Sequence, residues 1–315
     1  MPRLIHTLKE FPNELRGGAV AIGNFDGVHR GHAQLVRELV AQAERLSAPA
    51  IVFTFDPPPI RLLNPELVLG SPLTGIERRA ELLQNLGVDL VVAYPTDMAL
   101  LQLTAEAFFQ KVLLDTLGAR AIVEGPNFRF GRDRSGDVEM LGKLCIASGL
   151  SLAVVDAAND EAGMISSTRV RRLINEGKLA AANALLTQPY QITGQVGHGA
   201  ARGRTIGTPT ANLTDVRVLV PPHGVYAGCV PVGEGLCAAA IHIGPNPTFG
   251  DDAVKIEVHL IDWNGELYDS NLRCVFLERL RDVQKFHSPV ELQRQIASDI
   301  ELCRTIFEKY AVEGH

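Results

Sequence analysis

Short apolar segments alternate with segments of helical periodicity through the first half of the chain, and this alternation limits its fold more than any other feature. Five short segments rich in Val, Ile or Ala are typical of buried strands: Ala19 to Ile22, Ala50 to Phe55, Asp89 to Tyr94, Arg120 to Glu124 and Leu152 to Asp156. Four segments have helical periodicity: Gly31 to Leu46, Thr74 to Leu86, Thr104 to Leu117 and Ser135 to Ser148. Strands that alternate with helices pair in parallel, with crossover helices on both faces of the sheet. The first half is therefore predicted to be a doubly wound, Rossmann-like α/β domain.

The pattern changes after a helical stretch rich in Ala and Leu, from Ser166 to Leu186. Five strand segments follow without helices between them: Gln191 to Val196, Val225 to Pro231, Leu236 to Ile243, Lys255 to Trp263 and Asn271 to Leu280. Their spacing, with Gly or Pro turns between them, favours a small antiparallel barrel. A helix from Ser288 to Tyr310 follows the barrel. Since 315 residues suit two domains, we predict domains at residues 1–186 and 187–315.

The charge balance argues against a nucleic-acid partner. The chain has 30 Lys and Arg residues against 36 Asp and Glu residues, a net charge of -6, and no basic run stands out. No apolar stretch is long enough to span a membrane, and the first residues lack a signal-peptide core. Five widely spaced cysteines form no C-x-x-C pair and are predicted to be buried free thiols: Cys145, Cys229, Cys237, Cys274 and Cys303. We expect a cytoplasmic protein without nucleic-acid or membrane partners.

The strongest chemical signal lies at Gly23 to His32, where the first strand runs into a helix that begins near Gly31. Its glycines let the backbone approach a ligand, and the helix N-terminus offers unpaired N–H groups to an anion. His29 and His32 lie three residues apart, so both imidazoles can donate hydrogen bonds to one phosphoryl group. Neither a P-loop nor a dinucleotide fingerprint is present, and no third ligand follows at the spacing of a metal site. The turn is therefore predicted to bind a phosphate.

This turn resembles the H-x-G-H signature of the nucleotidyltransferase superfamily, whose members transfer a nucleoside monophosphate and release pyrophosphate. A second signature of that superfamily, I-S-S-T-x-x-R, resembles Ile165 to Arg171. Hydroxyl and guanidinium groups at a helix N-terminus suit the phosphates of a leaving pyrophosphate. The resemblance implies that residues of these two motifs bind ATP or its phosphates: Gly23, Phe25, Gly31, Ser167, Thr168 and Arg171.

Three motifs narrow the resemblance to one family: Gly23 to His29, Phe53 to Pro57 and Gly125 to Gly131. Together they are similar to the adenylyltransferase half of bacterial bifunctional riboflavin kinase/FAD synthetase. In that family the Phe-rich loops help to form the flavin and ATP sites. The resemblance therefore implies catalytic roles for His29 and His32. It also implies flavin contacts in this half of the chain: Phe55, Asn127 and Phe128.

The second half contains a group of oxygen ligands and a candidate base. Thr210 and Asn212 supply hard oxygen donors of the kind that Mg²⁺ takes, in a segment predicted to be a loop. Glu257 and His259 share the polar face of a predicted strand. A carboxylate fixed on a strand can act as a general base toward a hydroxyl group. Taken alone, such residues more often form a turn and a solvated strand face.

Four motifs of this half are similar to the riboflavin kinase module of the same family: Gly203 to Leu213, Gly224 to Gly228, Gly244 to Phe249 and Arg281 to Phe286. The resemblance assigns the site residues of this module: Glu257 as the catalytic base, Thr210 and Asn212 for Mg²⁺, Gly203 and Gly207 for nucleotide phosphates, and Arg281 for the flavin.

The resemblance extends over nearly the whole chain and implies two reactions. Riboflavin is phosphorylated to FMN with ATP, and FMN is adenylylated to FAD with release of pyrophosphate, with Mg²⁺ in each half. Delivery of FAD to apo-flavoproteins is a further expectation. One alternative is a protein with a single working half, since Thr208 stands where the family usually has an aromatic or aliphatic residue. The other is a flavin-binding regulatory or carrier protein whose catalytic sites have decayed.

Overall fold

A six-stranded parallel sheet organises the first half of the chain in a computed structural model, which describes residues 3–9, 11–64, 66, 70–197, 208–246 and 251–312. Its strands are β1 (Arg3–Ile5), β2 (Ala19–Ile22), β3 (Ala50–Phe55), β4 (Leu90–Tyr94), β5 (Ala121–Glu124) and β8 (Ser151–Val154), and their order in the sheet is β1-β4-β3-β2-β5-β8. The five predicted strands are confirmed. β1 is an additional edge strand, too short to give a pattern in the sequence.

Helices cover both faces of this sheet, as predicted for a doubly wound domain. The helices and the short hairpin strands are α1 (Arg30–Leu46), α2 (Pro59–Leu63), α3 (Ile76–Gln84), α4 (Met98–Leu101), α5 (Ala105–Phe108), β6 (Arg129–Phe130), β7 (Gly136–Asp137), α6 (Val138–Ser148), β9 (Asn159–Asp160) and β10 (Gly163–Met164), with 3-10 turns at Asn13–Leu15 and Arg132–Arg134. Val20 and Ile22 belong to the core on one face, and Ala19 and Ala21 to the core on the other. Burial on both faces explains why the central strands β2, β3 and β4 are almost entirely apolar.

The predicted helix from Thr104 to Leu117 changes its winding part of the way along. After α5 it continues as a π-helix over Phe109–Thr116. Phe108, Val112 and Leu113 are at most 5% exposed and belong to one core cluster. The wider π-helical turn places residues four and five positions apart on the same face. Packing of these side chains therefore accounts for a winding that periodicity does not predict.

Within the described residues of the second half, six antiparallel strands close into a barrel. They are β11 (Gln191–Gly197), β12 (Ala211–Thr214), β13 (Gly224–Val232), β14 (Gly235–Asn246), β15 (Asp251–Leu260) and β16 (Asn271–Arg281), in the order β11-β12-β15-β14-β13-β16. The predicted barrel is confirmed, and its buried Tyr226 and Phe276 rings meet edge to face at 5.3 Å. β12 corrects the prediction of a loop around Asn212. Pairing with β11 and β15 makes this short segment a strand.

The predicted helical stretch from Ser166 to Leu186 is interrupted near its middle. Its residues form two helices, α7 (Ser167–Asn175) and α8 (Leu179–Asn183). Gly177 between them has a φ of +72, a left-handed conformation that ends a helix and favours glycine. The Asn183 side chain donates to the Phe276 carbonyl and accepts the Tyr190 N–H, both at 2.8 Å. α8 is therefore fastened to β16 of the barrel.

A last helix, α9 (Pro289–Val312), packs against β13, β14 and β16. The Ser288 hydroxyl accepts the Glu291 N–H at 3.2 Å at its start, as expected for an N-cap. Cys303 is fully buried in the contact between this helix and the barrel. All five cysteines lie within the described residues as free thiols, and four of them are buried. The prediction of free thiols is thus confirmed.

The contacts of the described residues divide the chain into two units. The first is Met1–Gly70 with Thr74–Ser167, and the second is Ser71–Leu73 with Thr168–His315. α8 and most of α7 thus group with the barrel. The predicted boundary between residues 186 and 187 stays a prediction about domains that fold independently.

Candidate active sites

A cavity of about 270 Å³ opens at the carboxyl ends of β2 and β5. The strand order changes direction here. On one side of β2 lie β3, β4 and β1, and on its other side lie β5 and β8. Crevices at such switch points are the usual ligand sites of open α/β sheets. The cavity brings together residues of two predicted motifs: Gly23, Phe25, His29, Gly31, His32, Asn127 and Phe128.

His29 and His32 lie side by side at the start of α1. Their ring centroids are 3.6 Å apart, and the ring planes meet at 16°. His29 Nδ1 accepts the backbone N–H of His32 at 3.3 Å and so caps the helix. A ring nitrogen that accepts a hydrogen bond has no proton, so neutral His29 holds its proton on Nε2. The predicted pair is therefore assembled, with one N–H donor assigned.

Burial keeps both imidazoles neutral. It lowers the pKa of His29 to about 4, against a smaller opposing effect of the Asp26 carboxylate. It lowers the pKa of His32 well below its usual value, and the neighbouring His29 and Arg79 act in the same direction. His32 Nδ1 is buried and has no hydrogen-bond partner among the described residues. A bound ligand therefore contacts two uncharged rings, which still have nitrogen atoms available for hydrogen bonds.

The turn between β2 and α1 is supported by a buried polar network. Asp26 Oδ1 accepts hydrogen bonds from the backbone N–H and the hydroxyl of Thr74, at 3.0 and 3.2 Å. The same oxygen lies 3.6 Å from Arg79 Nη2. Ser167 Oγ donates to the Asp26 carbonyl at 2.8 Å. These contacts hold Phe25 at a φ of 46°, which costs a non-glycine residue about 1 kcal/mol or more.

Close approaches explain the glycines of this turn. A Cβ atom at Gly31 would lie 3.1 Å from the His29 ring, and one at Gly23 would lie 3.2 Å from the Phe25 ring. The Phe25 ring is 3% exposed, with its centroid 5.1 Å from that of His32. Phe25 therefore packs against His32 and supports the position of its ring.

The predicted flavin contacts of this half are only partly brought together. Asn127 and Phe128 follow β5 and line the cavity, and the Phe128 ring stacks on Phe130 with centroids 5.5 Å apart. Phe55 ends β3, packs edge to face on Phe53, and lies outside the residues that line the cavity. Its flavin contact stays a prediction that this cavity does not include.

The predicted pyrophosphate motif lies at the start of α7. Ser167 is the first residue of this helix, and its hydroxyl is the one bonded to the Asp26 carbonyl in the first unit. Thr168 and Arg171 follow on α7 and group with the second unit. Their contacts with phosphates remain a prediction.

In the barrel, Asn212, Glu257 and His242 lie side by side on three neighbouring strands. Asn212 on β12 is opposite Glu257 on β15, and Glu257 is opposite His242 on β14. Directly opposite residues of antiparallel strands share a face, with Cβ atoms about 5 Å apart. Thr210 lies two residues before Asn212 and is exposed. The predicted base thus lies beside a predicted magnesium ligand.

Arg281 ends β16 on the same face of the barrel, since it and His242 are both opposite Val225. Its guanidinium binds the Asp299 carboxylate of α9, with Nη2 at 2.7 Å from Oδ2, and that carboxylate is 6% exposed. Burial lowers the pKa of His242, an effect that the Glu257 carboxylate opposes. The face therefore combines a fixed cation, a neutral imidazole and the carboxylate of Glu257.

Another cavity, of about 340 Å³, lies beside Thr210 between barrel strands and the segment that follows β15. Apolar strand residues line it together with Trp263 and Tyr268. A Cβ atom at Gly265 would lie 2.3 Å from the Trp263 indole, so only glycine lets the backbone approach the ring this closely. Thr210, Asn264 and Glu266 add polar groups to the lining, so the cavity combines an aromatic wall for a flat ring such as a purine base with hydrogen-bonding groups.

Two family models match the chain in tandem. The model described as FAD synthetase matches residues 11–169, and the model described as riboflavin kinase matches residues 186–307. A bifunctional riboflavin kinase/FMN adenylyltransferase of Escherichia coli strain K12 is 36% identical over 306 residues, which are 97% of each chain. This chain belongs to the bifunctional riboflavin kinase/FMN adenylyltransferase family. The predicted resemblance is confirmed.

Further members of the family cover the chain to a similar extent. The protein of Pseudomonas fluorescens is 34% identical over 96% of this chain, and that of Listeria monocytogenes is 35% identical over 92% of it. A solved structure described as a macrolide-efflux protein from Streptococcus pneumoniae has a TM-score of 0.85 and 32% identity over 96% of this chain and 98% of its own. The described part of this chain contains no helix long and apolar enough to cross a membrane.

The predicted magnesium ligands fit a hard cation by their chemistry. Thr210 and Asn212 offer a hydroxyl and an amide oxygen, and Mg²⁺ beside a nucleotide commonly takes few protein ligands and completes its shell with phosphate oxygens and water. No group of three or more His, Cys, Asp or Glu side chains that could hold a metal occurs among the described residues. The nucleotide contacts predicted for Gly203 and Gly207 lie outside the described residues.

The sequence of this kinase/adenylyltransferase did not predict three residues that lie at these sites. Glu124 ends an apolar strand and lines the first cavity. His242 lies between Ile241 and Ile243 on β14, and this alternation places its side chain on the opposite face of the strand from theirs. The alternation does not show which residues of the adjacent strands lie beside it. Trp263, the one tryptophan of the sequence, stood at the end of a predicted strand. A single acidic residue at the end of an otherwise apolar strand was the signal in the sequence that could have pointed to Glu124.

The lowered pKa of His29 predicts a loss of stability in acid. The unfolded imidazole takes up a proton near pH 6.5, whereas the folded one does so only near pH 4. The unfolded state therefore binds more protons between these values, so the contribution to stability is complete above about pH 6.5 and falls as the pH drops toward 4. The variant His29→Asn keeps a side-chain acceptor for the helix cap and removes the titrating imidazole. When the pH falls from about 7.5 to about 5, the free energy of unfolding of this variant should decrease by about 2 kcal/mol less than that of the parent. Urea unfolding monitored by amide exchange in α1 measures the difference, and equal losses would contradict it.

Proposed function

We propose that the chain makes FMN and then FAD at two separate sites, with ATP as the donor in both reactions. The barrel phosphorylates the 5′-hydroxyl of riboflavin, and the α/β unit adenylylates the phosphate of FMN and releases pyrophosphate. The observation that carries the proposal is the tandem match of the two halves, with the His29 and His32 pair assembled in the crevice of the first. A cytoplasmic location and delivery of FAD to apo-flavoproteins complete the proposal.

In the barrel, Glu257 accepts the proton of the riboflavin 5′-hydroxyl as that oxygen bonds to the γ-phosphorus of ATP and the bond to ADP breaks. Thr210 and Asn212 would hold Mg²⁺, which supplies positive charge to the phosphate oxygens when bound. The position of Asn212 directly opposite Glu257 supports this assignment, because the base and the metal ligand then serve one reacting centre. Arg281, held by Asp299, contacts the flavin.

In the α/β unit, a phosphate oxygen of FMN bonds to the α-phosphorus of ATP while the bond to pyrophosphate breaks. The attacking group is the substrate's own phosphate, so the protein acts by positioning and by hydrogen bonding to developing charge. His29 and His32 donate to the oxygens of the transferring group, and Ser167, Thr168 and Arg171 hold the departing pyrophosphate. The remaining motif residues contact nucleotide or flavin: Gly23, Phe25, Gly31, Phe55, Asn127 and Phe128.

Incubation of the purified chain with riboflavin, ATP and Mg²⁺, followed by chromatographic separation of the flavins, tests the proposal. FMN should form first and FAD after it. Formation of FMN alone, or conversion only of supplied FMN to FAD, would indicate one working half. Binding of flavin without conversion would support a regulatory or carrier protein.

Trp263 should report nucleotide binding to the kinase half. It lines the cavity beside Thr210, so adenine bound there would contact the indole and change its emission. We expect a saturable change in tryptophan fluorescence on titration with ADP and Mg²⁺. Gly265→Val, which displaces the indole because its Cβ would lie 2.3 Å from the ring, should abolish the change. The same change at the same midpoint in that variant would place the nucleotide elsewhere.

A further inference from the structure

The sheet of the α/β unit opens between β2 and β5 where these strands reach the cavity. Their pairing ends at Val20 and Ile122, after which β2 continues beside β3 and β5 continues beside β8. The Gly23 N–H donates to the Phe53 carbonyl of β3 at 3.0 Å. Since the backbone groups of successive residues point to opposite sides of a strand, the Ile22 N–H faces the opening.

The Glu124 side chain fills this opening. Its Oε1 accepts the Ile22 N–H at 2.7 Å, and its carboxyl also accepts the N–H of Gly125. Glu124 is 2% exposed and lines the same cavity as His29. The strand that leads into the phosphate-binding turn is thereby tied to the strand that leads to Asn127.

We propose that Glu124 is a positioning residue for adenylyl transfer, which bridges the ends of β2 and β5 and so fixes the turn that carries His29 and His32. The inference rests on the proposed function of the α/β unit. Hydrogen-bond donors accelerate such a transfer only when they are held close to their productive positions. An apolar side chain at this position would leave the Ile22 N–H buried without a partner, and the turn would shift to satisfy it.

The surroundings of Glu124 also suit a site for a highly charged nucleotide. Burial raises the pKa of its carboxyl well above the usual value, although the two backbone N–H groups favour the ionised form. The titratable groups that line this cavity with it are His29, His32 and Asp156. The raised pKa favours the neutral carboxyl, which repels the phosphates of ATP less than a carboxylate would. Glutamine, which is neutral and retains an amide oxygen, is therefore the conservative replacement.

Two replacements in the full-length chain separate the bridge from other roles of this carboxyl. With FMN, ATP and Mg²⁺, Glu124→Leu should lower the kcat of FAD formation about tenfold or more with a smaller change in the KM for ATP, whereas Glu124→Gln should stay within about threefold of the parent. Riboflavin phosphorylation should be unchanged in both. Asp89→Leu is the matched control, because it removes another carboxylate that accepts a strand N–H, that of Ala50 at 2.8 Å, at the amino end of β3 and away from the cavity. It should keep the parent kcat.

Amide hydrogen exchange at Ile22 gives a second readout that needs no activity. Exchange should be faster in Glu124→Leu and unchanged in Glu124→Gln. A parent kcat in Glu124→Leu, equal losses in both variants, or unchanged exchange in Glu124→Leu would overturn the inference. If the parent chain forms no FAD, the proposed function fails, and the exchange comparison still decides whether Glu124 bridges the strands.

Discussion

Replacement of both His29 and His32 by alanine is expected to lower the rate of FMN adenylylation by about two orders of magnitude or more, as when preorganised donors to a transition state are lost. The two rings are stacked and buried at the start of α1, and both are neutral near pH 7. We therefore expect them to act through directed N–H groups and not through positive charge. The rate of FAD formation from supplied FMN, ATP and Mg²⁺ measures the effect.

A variant that removes another helix N-cap distinguishes the loss of hydrogen-bond donors from the loss of helix stability. His29 caps α1, and loss of an N-cap costs about 1 kcal/mol. Thr104→Ala removes the N-cap of α5 in the same unit, where the Thr104 hydroxyl accepts the Ala107 N–H. This control should form FAD at the parent rate. Undiminished FAD formation in the double histidine variant would remove both residues from the mechanism.

Glu257→Gln is expected to lower riboflavin phosphorylation by about 10² to 10⁴-fold, the usual contribution of a general base. Glutamine keeps the size of the side chain but cannot take the proton of the attacking hydroxyl. Its neighbours Asn212 and His242 are carried on other strands, so the row across β12, β15 and β14 should persist. The rate of FMN formation from riboflavin measures the loss.

The same variant contains its own control in the other half of the chain. Given FMN, Glu257→Gln should form FAD at the parent rate, because the α/β unit performs that step. Glu278→Gln, at an exposed position of β16, should leave both rates unchanged. A parent rate of FMN formation in Glu257→Gln would exclude Glu257 as the base, and a parallel fall in both reactions would indicate damage to the whole chain.

The central strands of the α/β unit were predictable because they are buried on both faces and are therefore almost entirely apolar. β2 and β3 coincide with the predicted segments Ala19 to Ile22 and Ala50 to Phe55. The His29 and His32 pair was predictable for a similar reason, since three-residue spacing at a helix start is a local feature. Such signals depend on neighbours in sequence.

Other features were not predictable because distant segments create them. β12 reads as a turn in the sequence and becomes a strand only through pairing with β11 and β15. The π-helical winding after α5 also depended on packing that helical periodicity does not reveal. The break at Gly177 is different, because a glycine that ends a helix is a local signal, which the prediction of one continuous helix left unused.

The sequence by itself determined the two fold classes, the positions of the long apolar strands along the chain and the motifs that identify the family. The tertiary structure decided which side chains act together. Glu124 meets the Ile22 N–H across 102 residues, and His242 meets Glu257 only through the register of β14 and β15. The physical reason is that local spacing fixes which face a side chain takes, whereas strand pairing fixes what lies opposite it.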